Sequence, residues 1–223
     1  MPNLTKYVGL VYLIAGLLIL GFILYERGKP AGPSPLPEVS PGASLPARLP
    51  IPPAVSPSPT SGLVEPVAEF KRRVTKKPFG VYVTSKNSPV QPERFTGYHT
   101  GADAEYGDVS ADVPVYSVAD GVITASKTAA GLGGVIQEKI GLNGAAHTVE
   151  YGHIRPGSLP KVGQSFKRGE QIGVLGTGYT VETDGERKHL HFAVLSDDRT
   201  DLRGYVASKA DLSGWLEPLS LYP

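Results

Sequence analysis

Cysteine is absent from the chain. Disulfides, thiolate metal sites and a cysteine nucleophile are excluded together, and the redox compartment stays open. An excess of charge of one sign is also lacking. The 22 Lys and Arg against 21 Asp and Glu leave a formal net charge of +1. A nucleic-acid binder carries a basic stripe matched to phosphates, so no nucleic-acid partner is expected. Histidine is scarce, with five in 223 residues. Any bound metal must then be held by those imidazoles and by carboxylates. No GxSxG element precedes a helical pattern, which leaves serine hydrolysis without support. A single long hydrophobic segment excludes a membrane transporter.

What is present falls into three zones. The stretch from Tyr7 to Tyr25 runs for 19 residues without a charge. As a helix it spans about 28 Å, the thickness of a bilayer's hydrocarbon. No small-x-small cleavage site follows Tyr25, so residues 1–27 read as an uncleaved signal-anchor transmembrane helix. Flanking positive charge nearly balances, which leaves its orientation undetermined by charge. Residues 28–76 read as a disordered Pro-rich linker, with eleven prolines between Pro30 and Thr60. Such a run favours extended conformations and holds the rest of the chain away from the bilayer. Its basic end, Lys71, Arg72, Arg73, Lys76 and Lys77, reads as a solvated approach to the next domain, with contact to anionic wall polymers or lipid as an extra role.

Residues 77–223 are long enough for one domain. Short β-branched segments alternate with turn chemistry at residues 80–84, 114–118, 121–125, 135–140, 148–154 and 190–195. Asn143-Gly144 is a strong hairpin signal. No segment shows a long apolar period of 3.6 residues, so the domain is expected to be mainly β, with antiparallel sheets.

The histidines cluster in short motifs. His99 and Asp103 form an HxxxD pair in a glycine-containing segment. His189 and His191 form an HxH pair on a predicted strand, where both imidazoles face one side and Leu190 the core. A hydrolytic zinc needs three protein ligands and an open position for water. His99, Asp103 and one histidine of the HxH pair complete such a set. His153 remains for proton handling or transition-state stabilisation. His147 fits no motif and reads as a surface histidine.

Five motifs in order resemble those of the lysostaphin-like (LytM-type) zinc endopeptidases. They are Phe95 to Asp103, Asp112 to Ile123, Tyr151-Gly152-His153-Ile154, Val162 to Gly173, and His189-Leu190-His191-Phe192. The resemblance covers Pro78 to Pro223. It implies antiparallel sheets of the duplicated-hybrid-motif type and one Zn2+ ion held by His99, Asp103, His191 and a water. His153 and His189 then flank that water as the catalytic pair. The implied activity is hydrolysis of peptide bonds in bacterial peptidoglycan by a single-pass protein of the cell membrane with its catalytic domain extracytoplasmic. A regulatory protein partner is left open. The alternative is a non-catalytic adaptor that activates other wall hydrolases, a role associated with lost metal ligands. A tether acting through the basic cluster and linker is a third reading. Two features depart from the family. The family commonly has a Thr-Gly-Pro before the HxH pair where Gly185-Glu186-Arg187-Lys188 precedes it here, and Ala193 stands where the family has glutamate. The loop from Gly178 to Lys188 is also longer and more charged, which bears on substrate fit at the cleft rim. Val162 to Gly173 is similar to biotinyl and lipoyl carrier domains too, but it has no lysine in a Met-Lys context at a hairpin tip.

Overall fold

The structure, a computed structural model, describes residues 62–223. The apolar stretch at 7–25 and the linker through residue 61 lie outside the described residues. Among the described residues no helix is long and apolar enough to cross a membrane.

The expected β-rich domain is present. Its regular structure is one four-residue helix, α1 (Phe70–Arg73), short 3-10 turns and twelve strands. The strands are β1 (Tyr82–Val83), β2 (Gly97–His99), β3 (Ala102–Glu105), β4 (Pro114–Tyr116), β5 (Gly121–Ala129), β6 (Gly133–Leu142), β7 (Ala145–Ile154), β8 (Ser165–Phe166), β9 (Gln171–Val174), β10 (His189–Leu195), β11 (Tyr205–Val206) and β12 (Trp215–Leu216). Every strand pair is antiparallel.

The largest sheet runs β12-β10-β7-β6-β5-β8, with β3 also paired to β10. β6 and β7 join through Asn143 and Gly144, both at positive φ, as a two-residue hairpin turn of the left-handed kind requires. β10 is the strand that organises the site. One edge pairs with β7 through residues 191–194. The other edge pairs with β3 through residues 189–192 and with β12 through 194–195. All seven β10 residues are consequently buried.

Period-two alternation sorts the two faces of β10. Leu190, Phe192 and Val194 join the main core with Tyr151, Ala102 and Ala104. Ala193 and Leu195 point to the other side, into a smaller cluster with Val206, Leu212 and Trp215. His189 and His191 share that second face.

The domain starts earlier than Lys77. Val67 and Phe70 are part of the main core, and the Phe70 ring meets those of Phe192 and Tyr222 edge-on at 5.1 and 5.6 Å. Burying a phenylalanine contributes about 1.5–3 kcal/mol, enough to bind the segment to the sheet. The Val64 N–H donates to the Val118 carbonyl, and the Tyr116 N–H donates to that of Pro66. In the basic cluster Lys71, Arg72 and Lys76 are exposed, as a solvated approach requires, whereas Arg73 is half-buried and Lys77 is buried. Arg72 pairs with Glu69, Arg73 with Asp108 and Lys76 with Glu105. Lys77 is buried, 2.5 Å from the equally buried Glu93. Aliphatic spacing at residues 63–70 is hidden in the sequence by the prolines before it and the charges after it.

Candidate metal centre

Three strands deliver the cluster. β2 ends on His99, and the Thr100-Gly101 turn brings β3 back so that Asp103 pairs with His191 across β10. Gly101 makes the close approach possible. A Cβ there would stand 2.6 Å from the Phe192 carbonyl oxygen and 2.8 Å from His191 Cε1. On the opposite edge His191 pairs with Gly152, and a Cβ at Gly152 would press on His191 Cβ at 3.1 Å. Small residues on both sides thus leave room for one imidazole.

His99 Nε2, Asp103 Oδ1 and His191 Nδ1 form a nearly equilateral triangle. The sides are 3.1 Å between the histidines, 3.2 Å from His99 to Asp103 and 3.1 Å from His191 to Asp103. Tetrahedral zinc with ligands at about 2.0–2.2 Å sets its donors about 3.3–3.6 Å apart, so the triangle fits one such ion with little adjustment. The donor chemistry agrees. His99 Nδ1 lies 3.2 Å from the Pro78 carbonyl oxygen, to which only an N–H can donate. Its Nε2 then faces His191 Nδ1 and Asp103 Oδ1, so three atoms able to ligate a metal converge on one point. All three side chains are buried.

Around Asp103 the electrostatics are strong. Burial works against its charge, but His99 and His189 outweigh it and hold the carboxyl well below the usual carboxylate range. Arg187 Nη2 also donates to Asp103 Oδ2 at 2.9 Å. Arg187 further grips Glu105, with Nε at 2.9 Å from each oxygen and Nη2 at 2.6 Å from Oε1. Glu150, facing His191 Nε2 at 3.8 Å, is pushed up to about 7 by burial.

His189 and His153 stand beside the triangle, their rings 4.1 Å apart. His189 Nδ1 donates to the Arg187 carbonyl at 2.8 Å, and its Nε2 lies 3.3 Å from Asp103 Oδ2. His153 reaches this face by a β-bulge. Gly134 pairs with Ile154 and Val135 with Gly152, so His153 is unpaired between them, at φ 62°. Strict alternation would have sent it to the face of Tyr151, in the core. Burial first, then the neighbouring His189, keeps its imidazole well below the usual histidine range. His153 is therefore neutral at neutral pH.

These five side chains line a cavity of about 220 Å³ together with Arg187. Its aromatic wall is Phe95 stacked on Tyr205, which lies in turn 5.2 Å from the His99 ring. Lys77 donates to the Tyr205 hydroxyl at 3.0 Å. At the rim Arg94 donates to Glu186 and to the Asp184 carbonyl, tying the 84–96 loop to the 177–188 loop. The charges of the long loop are largely consumed within the fold. Tyr179 and Val181 instead project from it, 79% and 90% exposed.

All five residues singled out in the sequence meet here. His147 does not, and it is no surface residue: it is 8% exposed, with Nδ1 donating to the Leu195 carbonyl at 2.9 Å. Sequence reasoning missed Arg187, Glu105, Lys77 and Glu150. A period-two reading of Asp103 with Glu105, and of Arg187 with His189 and His191, finds the first two.

A family profile described as peptidase family M23 matches residues 97–201. No curated protein matches the chain. Among solved structures, CbpA from L. salivarius REN is 23% identical, with 65% of this chain and 82% of that chain covered and a TM-score of 0.42. LytU is 24% identical, with coverage of 66% and 81% and a TM-score of 0.42. The SpoIIQ-SpoIIIAH pore forming complex contains a chain 16% identical, with coverage of 72% and 90% and a TM-score of 0.47.

Proposed function

We propose, for a chain whose residues 97–201 are a peptidase family M23 domain, that it is a zinc endopeptidase cutting peptide bonds of bacterial peptidoglycan. The triangle of His99 Nε2, Asp103 Oδ1 and His191 Nδ1 carries this reading. Zinc held there supplies a Lewis acid and lowers the pKa of a bound water towards 7. The chain's own residues do the rest. His189, its Nδ1 proton engaged by the Arg187 carbonyl, offers Nε2 to accept a proton. His153, neutral and unpartnered at Nδ1, stands next to it to donate a hydrogen bond to the developing oxyanion or to exchange a proton with the leaving amine. The cavity's apolar and aromatic walls limit water around that exchange. Residues 7–25 anchor the protein in the cell membrane in this proposal, with the peptidase domain outside the cytoplasm.

The test is digestion of purified peptidoglycan by the full-length protein, with fragments identified by mass spectrometry and zinc measured in the same preparation. Expected are new peptide termini, lost on adding a chelator, and loss of both zinc and cleavage in His191→Ala. Cleavage by His191→Ala at the parent rate would overturn the assignment. A stable, zinc-free parent that cuts nothing but stimulates another wall hydrolase would establish the adaptor instead. The anchor is tested by fractionation: the full chain should sediment with membranes, and recovery in the soluble fraction counts against it.

A further inference from the structure

We infer that Arg187 is the positioning residue of this centre, fixing Asp103 through its guanidinium and His189 through its carbonyl. The inference rests on the zinc reading above.

Glu105 lies opposite His189 and Asp103 opposite His191 in the β3–β10 pair, and Arg187, two residues before β10 begins, reaches both carboxylates through its hydrogen bonds. Its side chain is 5% exposed. The fork of the guanidinium is anchored on Glu105 by Nε and Nη2, and Nη2 also reaches Asp103 Oδ2 at 2.9 Å. An unrestrained carboxylate can rotate, or can present both oxygens to a metal. With Oδ2 engaged, Oδ1 alone is turned towards His99 and His191, which keeps Asp103 monodentate and leaves a coordination position for water. This needs a planar, multiply donating group. Lysine would supply the charge as a point, without the fork.

The same residue acts a second time through its backbone. Its carbonyl takes the Nδ1 proton of His189, which orients the ring with Nε2 towards Asp103 Oδ2, 3.3 Å away. Arginine is charged throughout the physiological pH range. Arg187 lines the same cavity as the five site residues.

Arg187→Ala and Arg187→Lys in the full-length protein test this. The readouts are the zinc dissociation constant from chelator competition and the visible absorption of the Co2+-loaded protein, which falls as coordination number rises. Arg187→Ala is expected to weaken zinc binding about 10- to 100-fold and to lower the Co2+ absorption. Arg187→Lys should restore only part of both. A folded Arg187→Ala with the parent's zinc affinity and Co2+ spectrum overturns the inference, even if its metal-free form melts earlier, because that pattern is a purely structural role. If Arg187→Ala does not fold, parental metal readouts in Arg187→Lys overturn it equally. A parent that binds no zinc removes both this inference and the reading beneath it, whereas indistinguishable variants of a zinc-binding parent remove only this one.

Discussion

Asp103 and Glu138 are both buried carboxylates on strands of the largest sheet, and their surroundings drive them in opposite directions. Asp103 has cations or potential cations on every side: Arg187 at 2.9 Å, and the imidazoles of His99, His189 and His191 within 3.3 Å. It stays charged. Glu138 accepts hydrogen bonds only from the Ser117 and Tyr151 hydroxyls, at 2.7 and 2.8 Å, and burial pushes it up to about 7. Asp103 at the site is paired, and Glu93 with Lys77 is a further case, whereas Glu150, 3.8 Å from His191 Nε2 and hydrogen-bonded by Gln137, is pushed up to about 7 like Glu138. At the core end a carboxyl is tied into hydroxyl donors that suit either protonation state. Burial alone therefore does not decide the charge of an acid in this fold; the partner does. Only the partnered acid is ready to hold a cation.

Glu138→Gln sharpens this contrast and carries the largest expected energy. The folded value of Glu138, about 7, lies above the ordinary 4.5 that it has when unfolded. Protonation therefore favours the fold. The stability from this group is complete below about pH 4.5 and is lost as pH rises through about 7, by about 3 kcal/mol in all. Glutamine keeps an acceptor for Ser117 and presents its amide to the Tyr151 oxygen. Urea unfolding of parent and variant between pH 4.5 and pH 8, with chelator present, should show the parent losing about 3 kcal/mol more than the variant. Parallel profiles would mean that Glu138 is not held protonated by the core.

The legible and illegible parts of the sequence divide along physical lines. Alternation at residues 121–125, 135–140, 148–154 and 190–195 lies within β5, β6, β7 and β10, of which β5 alternates in burial while β7 and β10 are buried on both faces. The HxH pair was readable because i and i+2 share a face whatever the rest of the fold does. His153 was found by motif, while alternation would have pointed its ring into the core. The bulge that re-aims it depends on β6 register, which no local pattern states. Lys77 was misread because charge in a basic run looks solvated. Its partner Glu93 lies 16 positions on, in a loop whose path is set by tertiary contacts. Arg187 was visible only as a departure from Thr-Gly-Pro; that it grips Asp103 required the pairing of β3 with β10.

The bulge at His153 gives the smallest expected effect on stability, and it probes the site end of the comparison most directly. A non-glycine residue at φ 62° sits in a conformation that costs of order 1 kcal/mol and persists only where the surroundings enforce it. Here the Leu132 carbonyl accepts from the His153 N–H, and the His153 carbonyl accepts from Gly176. Replacing the ring confounds strain with lost packing, so two variants are needed. His153→Ala and His153→Gly both remove the imidazole, and only glycine removes the strain. The glycine variant should be the more stable of the two by about 1 kcal/mol in urea unfolding. Both should keep zinc, because His153 is not a corner of the triangle, and both should lose hydrolysis by about 100- to 10,000-fold. Equal stability of the two would show that the bulge holds His153 without strain. Undiminished hydrolysis would remove His153 from the proton-handling pair and leave His189 to act alone.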